Sequence, residues 1–290
     1  METQTREHHD RIQPTLRVIL FIIAFLGLSV VIGMFGVAAG TTAGLYLSMI
    51  SLIMPIGLVI LFRRLWDKKT VQSLGLEFDK GWTVDSAVGF GTAFLLVTLM
   101  FGVQYAGGWL KYSFHFGLSA FNIFFFLTFL FVLAGALGAA ISEELVFRGY
   151  LLANITEGWG IIAAIIVTSL LFGFAHIFNP NFSWMIGLNL SLAGVLLAYG
   201  YFVTGSLWFP ICFHLAWNLF EGYIYGLPVS GLNPGMISFI ISKISGPAWL
   251  TGGVFGPEGG LISTFTYMLG FLLVWFLYTK VFTGRLEKDA

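Results

Sequence analysis

Residues 120–148, AFNIFFFLTFLFVLAGALGAAISEELVFR, open with an uncharged run from Ala120 to Ser142 and end on Glu143, Glu144 and Arg148. A helix needs about 20 largely apolar residues to cross a hydrocarbon core about 30 Å thick, and this run supplies them. Seven further runs of the same kind lie near 17–40, 43–62, 86–107, 160–178, 183–203, 206–225 and 261–283. The reading is an all-α polytopic membrane protein with about eight transmembrane helices. Composition agrees: 58% of the 290 residues are hydrophobic and 10% are charged, and mean hydropathy is +0.90. A soluble domain carries about 25% charged residues, so neither a soluble enzyme nor a disordered chain fits. Net charge is zero and no basic run exceeds Arg63-Arg64 or Lys68-Lys69, which leaves no footprint for nucleic acid. The single cysteine, Cys212, allows neither an intrachain disulfide nor a Cys-based zinc site.

Basic residues set the expected orientation, because they are retained on the cytoplasmic side. Arg6, Arg11 and Arg17 precede the first span; Arg63, Arg64, Lys68, Lys69 and Lys80 follow the second; Lys280, Arg285 and Lys288 follow the eighth. With an even number of spans all three groups share one face, and the loops opposite hold only Lys111 and Lys243. An integral protein of the cell (plasma) membrane with both termini cytoplasmic is expected. The chain divides into a cytoplasmic tail at 1–16, N-terminal transmembrane helices at 17–112, a core at 113–225, an outer loop at 226–260, and a last helix with its tail at 261–290. Segment 63–82 mixes charges with Trp66, Phe78 and Trp82 and suits an elbow in the headgroup region. The Gly- and Pro-rich loop 226–260 is expected to hold a short apolar helix at 236–243.

Ionisable residues inside spans are costly and mark candidate sites. They form three groups: Glu143, Glu144 and Arg148 on span four; Phe172 and His176 on span five; His214 and Asn218 on span seven, with Glu221 just beyond. Glu144 and Arg148 are i,i+4 neighbours with the acid first, the favourable order for an ion pair. Glu143 is turned about 100° away on the helix and needs a donor from elsewhere, with His176 the candidate. Span four is expected to continue as helix to about Asn154, which brings Glu143 and His176 to one depth. One free carboxylate, two imidazoles and an amide in one cavity among spans four, five and seven can activate water and stabilise an oxyanion. The chemistry that fits is amide hydrolysis without a cofactor. The same side chains leave a zinc site open as an alternative, with Glu143, His176 and His214 as ligands. No H-E-x-x-H pattern accompanies them.

Glu143-Glu144-x-x-x-Arg148, Phe172-x-x-x-His176 and His214-x-x-x-Asn218, in that order on successive apolar spans, resemble the CPBP family of intramembrane proteases. That family includes type II CAAX prenyl endopeptidases and bacterial Abi proteins linked to bacteriocin immunity. The resemblance covers about 135–225. It implies a cavity opening toward the cytosol, water activated by Glu143 and His176, and an oxyanion hole of His214 and Asn218, with Glu144 and Arg148 in support. The implied partners are the lipid bilayer and a CAAX-type or bacteriocin-related peptide or protein substrate, reached from the membrane or the cytosol. A non-enzymatic immunity or scaffold protein, or a transporter using the same polar groups as a proton path, are the competing readings.

Overall fold

A computed structural model describes residues 13–38, 40–79, 81–114, 123–233 and 238–281. The apolar runs fold as helices, the conformation that satisfies every backbone N–H and C=O within the segment when no water is present. They are α1 (Pro14–Ala38), α2 (Gly40–Leu65), α3 (Trp82–Ala106), α4 (Ile123–Glu144), α5 (Ile161–Phe174), α6 (Trp184–Thr204), α7 (Trp208–Asn218) and α8 (Leu261–Phe276). Three continue in π-helical geometry: α4 through Leu145–Leu151 and then as α-helix over Leu152–Trp159, α7 through Leu219–Ile224, and α8 through Leu277–Val281. Glycines punctuate the rods. Gly160, at φ 84°, separates α4 from α5, and Gly205, at φ 65°, caps α6 by donating its N–H to the Tyr201 carbonyl. Ser183 caps the other end of α6 by accepting from the Ile186 N–H.

Among the described residues, five helical stretches are long and apolar enough to cross a membrane: Pro14–Ile32, Trp82–Ala106, Phe125–Trp159, Trp184–Thr204 and Leu261–Val281. The chain is thus a mostly helical polytopic membrane protein. It departs from an all-helical reading in one place. β1 (Leu110–Phe114) and β2 (Ile240–Ile244) pair antiparallel, with Leu110 opposite Ile244 and Phe114 opposite Ile240. The apolar helix expected at 236–243 is corrected here: residues 234–237 lie outside the described residues, and 240–244 form β2. Three β-branched isoleucines in Ile240-Ile241-Ser242-Lys243-Ile244 favour the strand, along which exposure alternates from residue to residue. Most of the expected tail segments, 1–12 and 282–290, also lie outside the described residues.

Contacts sort the helix ends into two groups. At one end Asp67 accepts from Arg63 Nη1 at 2.7 Å, from Arg17 Nη1 at 3.3 Å and from Asn154 Nδ2 at 3.3 Å. These bonds fasten the start of α1, the end of α2 and the end of the α4 rod. Leu207, before α7, donates its N–H to Gly75 of the elbow at the same end. At the other end the β1–β2 ribbon joins the loops that follow α3 and α7, and Asn179 Nδ2, after α5, donates to the Ser230 carbonyl at 2.8 Å. Alternate crossings predict this sorting.

The α4 rod runs beyond Asn154 to Trp159, as the depth argument required, so Glu143 and Glu144 sit within its length and not at an end. α5 and α6 approach closely through small residues: a Cβ on Gly173 would overlap Ser191 and the Gly187 carbonyl, and one on Gly194 would press on Ser169. Such small-residue contacts let helix backbones come together in lipid and fix the end of α5 that carries His176.

Arg17, Arg63 and Asp67 are all nearly inaccessible, and removing one member of a buried pair costs about 3–5 kcal/mol. Asp67→Ala should therefore markedly lower the thermal unfolding midpoint in detergent. Lys69→Ala, which breaks the half-exposed Lys69–Glu157 pair, should leave it nearly unchanged.

Candidate active site

Glu144 and Arg148 form the expected ion pair, Oε1 to Nη1 at 2.9 Å, with neither side chain accessible. Arg148 is held on its other sides as well. Its guanidinium lies 4.2 Å from the centre of the Phe172 ring, a cation–π contact worth about 2 kcal/mol when desolvated, and Nη2 reaches the Gly194 carbonyl at 3.4 Å. Phe172 thus does more than pack: it is the apolar platform on which the buried cation rests. Helix α4 changes to π geometry immediately after Glu144, a distortion common at functional sites.

His214 Nδ1 lies 2.8 Å from the same Glu144 oxygen, Oε1. A carboxylate paired with arginine can only accept, so Nδ1 carries the proton and Nε2 is turned away from Glu144. That Nε2 is 3.9 Å from Glu143 Oε2, an oxygen that is buried without a hydrogen-bond partner. His176 Nδ1 lies 2.9 Å from the Phe172 carbonyl. The carbonyl accepts, so the proton again sits on Nδ1 and Nε2 keeps its lone pair. The expected Glu143–His176 contact is therefore replaced by two separate ones: His176 binds its own helix and Glu143 approaches His214. The i−4 carbonyl bond was open to His176 by spacing alone, and the Glu144–His214 bond was not.

Glu143, His176, His214 and Asn218 nevertheless line one cavity of about 970 Å³. Two further lining residues come from beyond the motifs. Glu258, in the segment 226–260, is buried and accepts from Trp217 Nε1 at 3.2 Å, from the Ser230 N–H at 2.7 Å and from the Ser230 hydroxyl at 3.0 Å. Burial pushes its carboxyl above the usual range, and the Ser230 donors and the neighbouring histidines oppose that shift. Trp217 precedes Asn218 on α7 and stacks between Phe213 and Tyr267. No sequence signal marks Glu258, since it stands alone in Gly256-Pro257-Glu258-Gly259. Glu221, in the π-helical turn that follows Asn218, is fully buried.

The arrangement places two imidazoles of fixed tautomer and one free carboxylate around a common space. Among the described residues, no three His, Cys, Asp or Glu side chains are gathered as a metal-ion ligand set.

Residues 124–220 match the family model of type II CAAX prenyl endopeptidase Rce1-like proteins. No curated protein and no solved structure matches the chain. The matched segment contains Glu143, Glu144, Arg148, Phe172, His176, His214 and Asn218 and excludes Glu258. Over that segment the chain is similar to type II CAAX prenyl endopeptidases, the group to which its motifs point, which supports a CAAX-type intramembrane protease in general.

Proposed function

We propose that the chain is an intramembrane endopeptidase in which Glu143 and His176 activate water and His214 and Asn218 stabilise the oxyanion. The observation that carries this reading is the division of labour between adjacent acids. Glu144 Oε1 is committed to Arg148 and His214, whereas the Glu143 side chain is 34% accessible and lines the cavity. A water held between Glu143 and His176 Nε2 loses a proton to the carboxylate as its oxygen adds to the peptide carbonyl carbon. The carbonyl oxygen takes the negative charge. When the C–N bond breaks, the proton moves from Glu143 to the leaving nitrogen, which leaves a carboxylic acid and an amine. For His214 to donate to the oxyanion, its ring must carry both protons, Nδ1–H toward Glu144 and Nε2–H toward the substrate. Asn218, one turn along α7, supplies an amide donor.

Glu143→Gln keeps shape and removes the proton acceptor. Cleavage of a fluorogenic peptide should collapse while the melting curve changes little. His176→Ala should match that loss, and the double variant should be scarcely worse than either single one, because groups acting on one water are not additive. His214→Ala and Asn218→Ala should each lower turnover by about 10²–10³ with substrate binding largely kept. Equal losses of binding and turnover would make them substrate contacts instead.

Arg148→Ala leaves the buried Glu144 without its arginine and held by His214 alone, a loss of up to about 3–5 kcal/mol, so it should lower the unfolding temperature as well as activity. Activity should persist in a strong chelator. If chelation abolishes it, zinc restores it, and Glu143→Gln, His176→Ala and His214→Ala all lose bound metal, the metal-free mechanism fails and the protease reading stands.

A further inference from the structure

His176 and Asn218 stand on different elements, and a run of hydrogen bonds centred on a buried acid outside both joins them. The His176 carbonyl accepts from the Asn179 N–H at 2.9 Å, and Asn179 Nδ2 donates to the Ser230 carbonyl at 2.8 Å. The Ser230 N–H and hydroxyl both donate to Glu258 Oε2, at 2.7 and 3.0 Å. Glu258 Oε1 then accepts from Trp217 Nε1 at 3.2 Å, and Trp217 is the residue before Asn218.

Both ends have a freedom that this tie removes. Trp217 is sandwiched by Phe213 and Tyr267, with ring centres 5.8 and 5.1 Å away. Stacked rings tolerate a range of offsets, so the sandwich alone lets the indole slide in its own plane, and the bond from its edge to Glu258 stops the slide. Helix α7 leaves α geometry immediately after Asn218, over Leu219–Ile224, so a regular helix supports the Asn218 amide on one side only. At the other end Ser230 has φ 49°, a left-handed conformation that residues other than glycine seldom adopt. Glu258 holds it there by taking both its N–H and its hydroxyl.

We propose that Glu258 is a positioning residue for peptide hydrolysis: anchored on Ser230 and the His176 turn, it holds Trp217 and through it the Asn218 amide at the oxyanion, without itself holding the substrate. The inference rests on the protease reading and adds to it a residue outside the segment that matches the family model. The backbone of Glu258 is secured separately from its carboxylate. Asn189 Nδ2 donates to the Glu258 and Gly260 carbonyls at 2.9 Å each, and the Thr264 hydroxyl donates to Asn189 Oδ1 at 2.7 Å. A substitution confined to the carboxylate therefore leaves these backbone bonds in place. Rate is steep in such geometry: a displacement of about 1 Å costs about 10²-fold.

The test measures kcat and KM for a fluorogenic peptide on the full-length protein in detergent, with a melting curve for each variant. Glu258→Gln keeps the shape but turns one acceptor oxygen into an amide donor, so the Trp217 or the Ser230 arm is lost. Its kcat should fall about 10²-fold with KM little changed and the protein folded at the assay temperature. Glu258→Asp, which keeps two acceptor oxygens, should recover part of that loss. Trp217→Phe, which removes the indole N–H and keeps a stacked ring, should match Glu258→Gln, and it decides by the same constants if Glu258→Gln does not fold. In an Asn218→Ala background either substitution should cost little further, because the group they position is gone. An unchanged kcat, a loss accounted for by the unfolded fraction, or a full additional loss in the Asn218→Ala background would overturn the inference. KM rising as kcat falls would overturn it too, by making Glu258 a substrate contact. In each of these cases wild-type cleavage keeps the protease reading, whereas a wild type that cleaves no peptide overturns both.

Discussion

A fully buried ion pair in a chain built for lipid constrains everything around it. Isolating Glu144 or Arg148 would cost several kcal/mol, so the surrounding helices are chosen by what they can offer the pair. Helix α5 brings the face of Phe172 beneath the guanidinium, α6 brings the Gly194 carbonyl, and α7 brings His214 to the carboxylate. The approach of α6 requires glycine at 194, where a Cβ would press on Ser169 of α5. Three helices therefore converge on α4 just where it enters π geometry, and part of the polar wall of the cavity follows from keeping one charge pair satisfied.

That satisfaction shapes the chemistry. Because one oxygen of Glu144 holds both Arg148 and His214, the adjacent acid is the one to which the proposed mechanism gives the water. Each histidine spends its Nδ1 proton on a fixed acceptor, the Glu144 carboxylate for His214 and the Phe172 carbonyl for His176, so both present Nε2 to the cavity. A ring locked in this way pays little reorganisation when a proton moves. Glu144 is then more than a structural partner of Arg148: it also fixes the orientation of the His214 ring through Nδ1.

Much of the helical architecture was legible because lipid imposes a length and an apolarity that can be counted along the chain. The Glu144–Arg148 pair was legible for a similar reason, since i,i+4 spacing is local. What spacing could not reveal was whatever depends on the distance between helices. His214 meets Glu144 across seventy residues, and the partner expected for Glu143, His176, is held by its own helix. The strand at 240–244 was hidden because its partner, 110–114, lies in a different loop, and a short, mostly apolar run in isolation reads equally well as part of a short helix. Glu258 gave no signal at all, because a lone acid among glycines is ordinary in a loop and its burial is decided by residues elsewhere.

The segment 226–260 shows why such a residue is needed. A connector packed against apolar helices has backbone groups that no water can be relied upon to satisfy. Asn189 of α6 answers part of this by donating to the carbonyls of Glu258 and Gly260, each at 2.9 Å, and Gly231 donates to the Phe255 carbonyl at 2.8 Å. The chain turns tightly enough that Gly256, at φ 110°, has no room for a Cβ against the Pro228 carbonyl. Glu258 completes the set by taking both the N–H and the hydroxyl of Ser230 together with the Trp217 indole. One buried carboxylate thus ties two distant parts of the loop to the residue preceding Asn218, and the shape of the cavity wall follows from the same rule as its polar floor plan. Each charge withdrawn from water must find donors, and those donors fix the geometry.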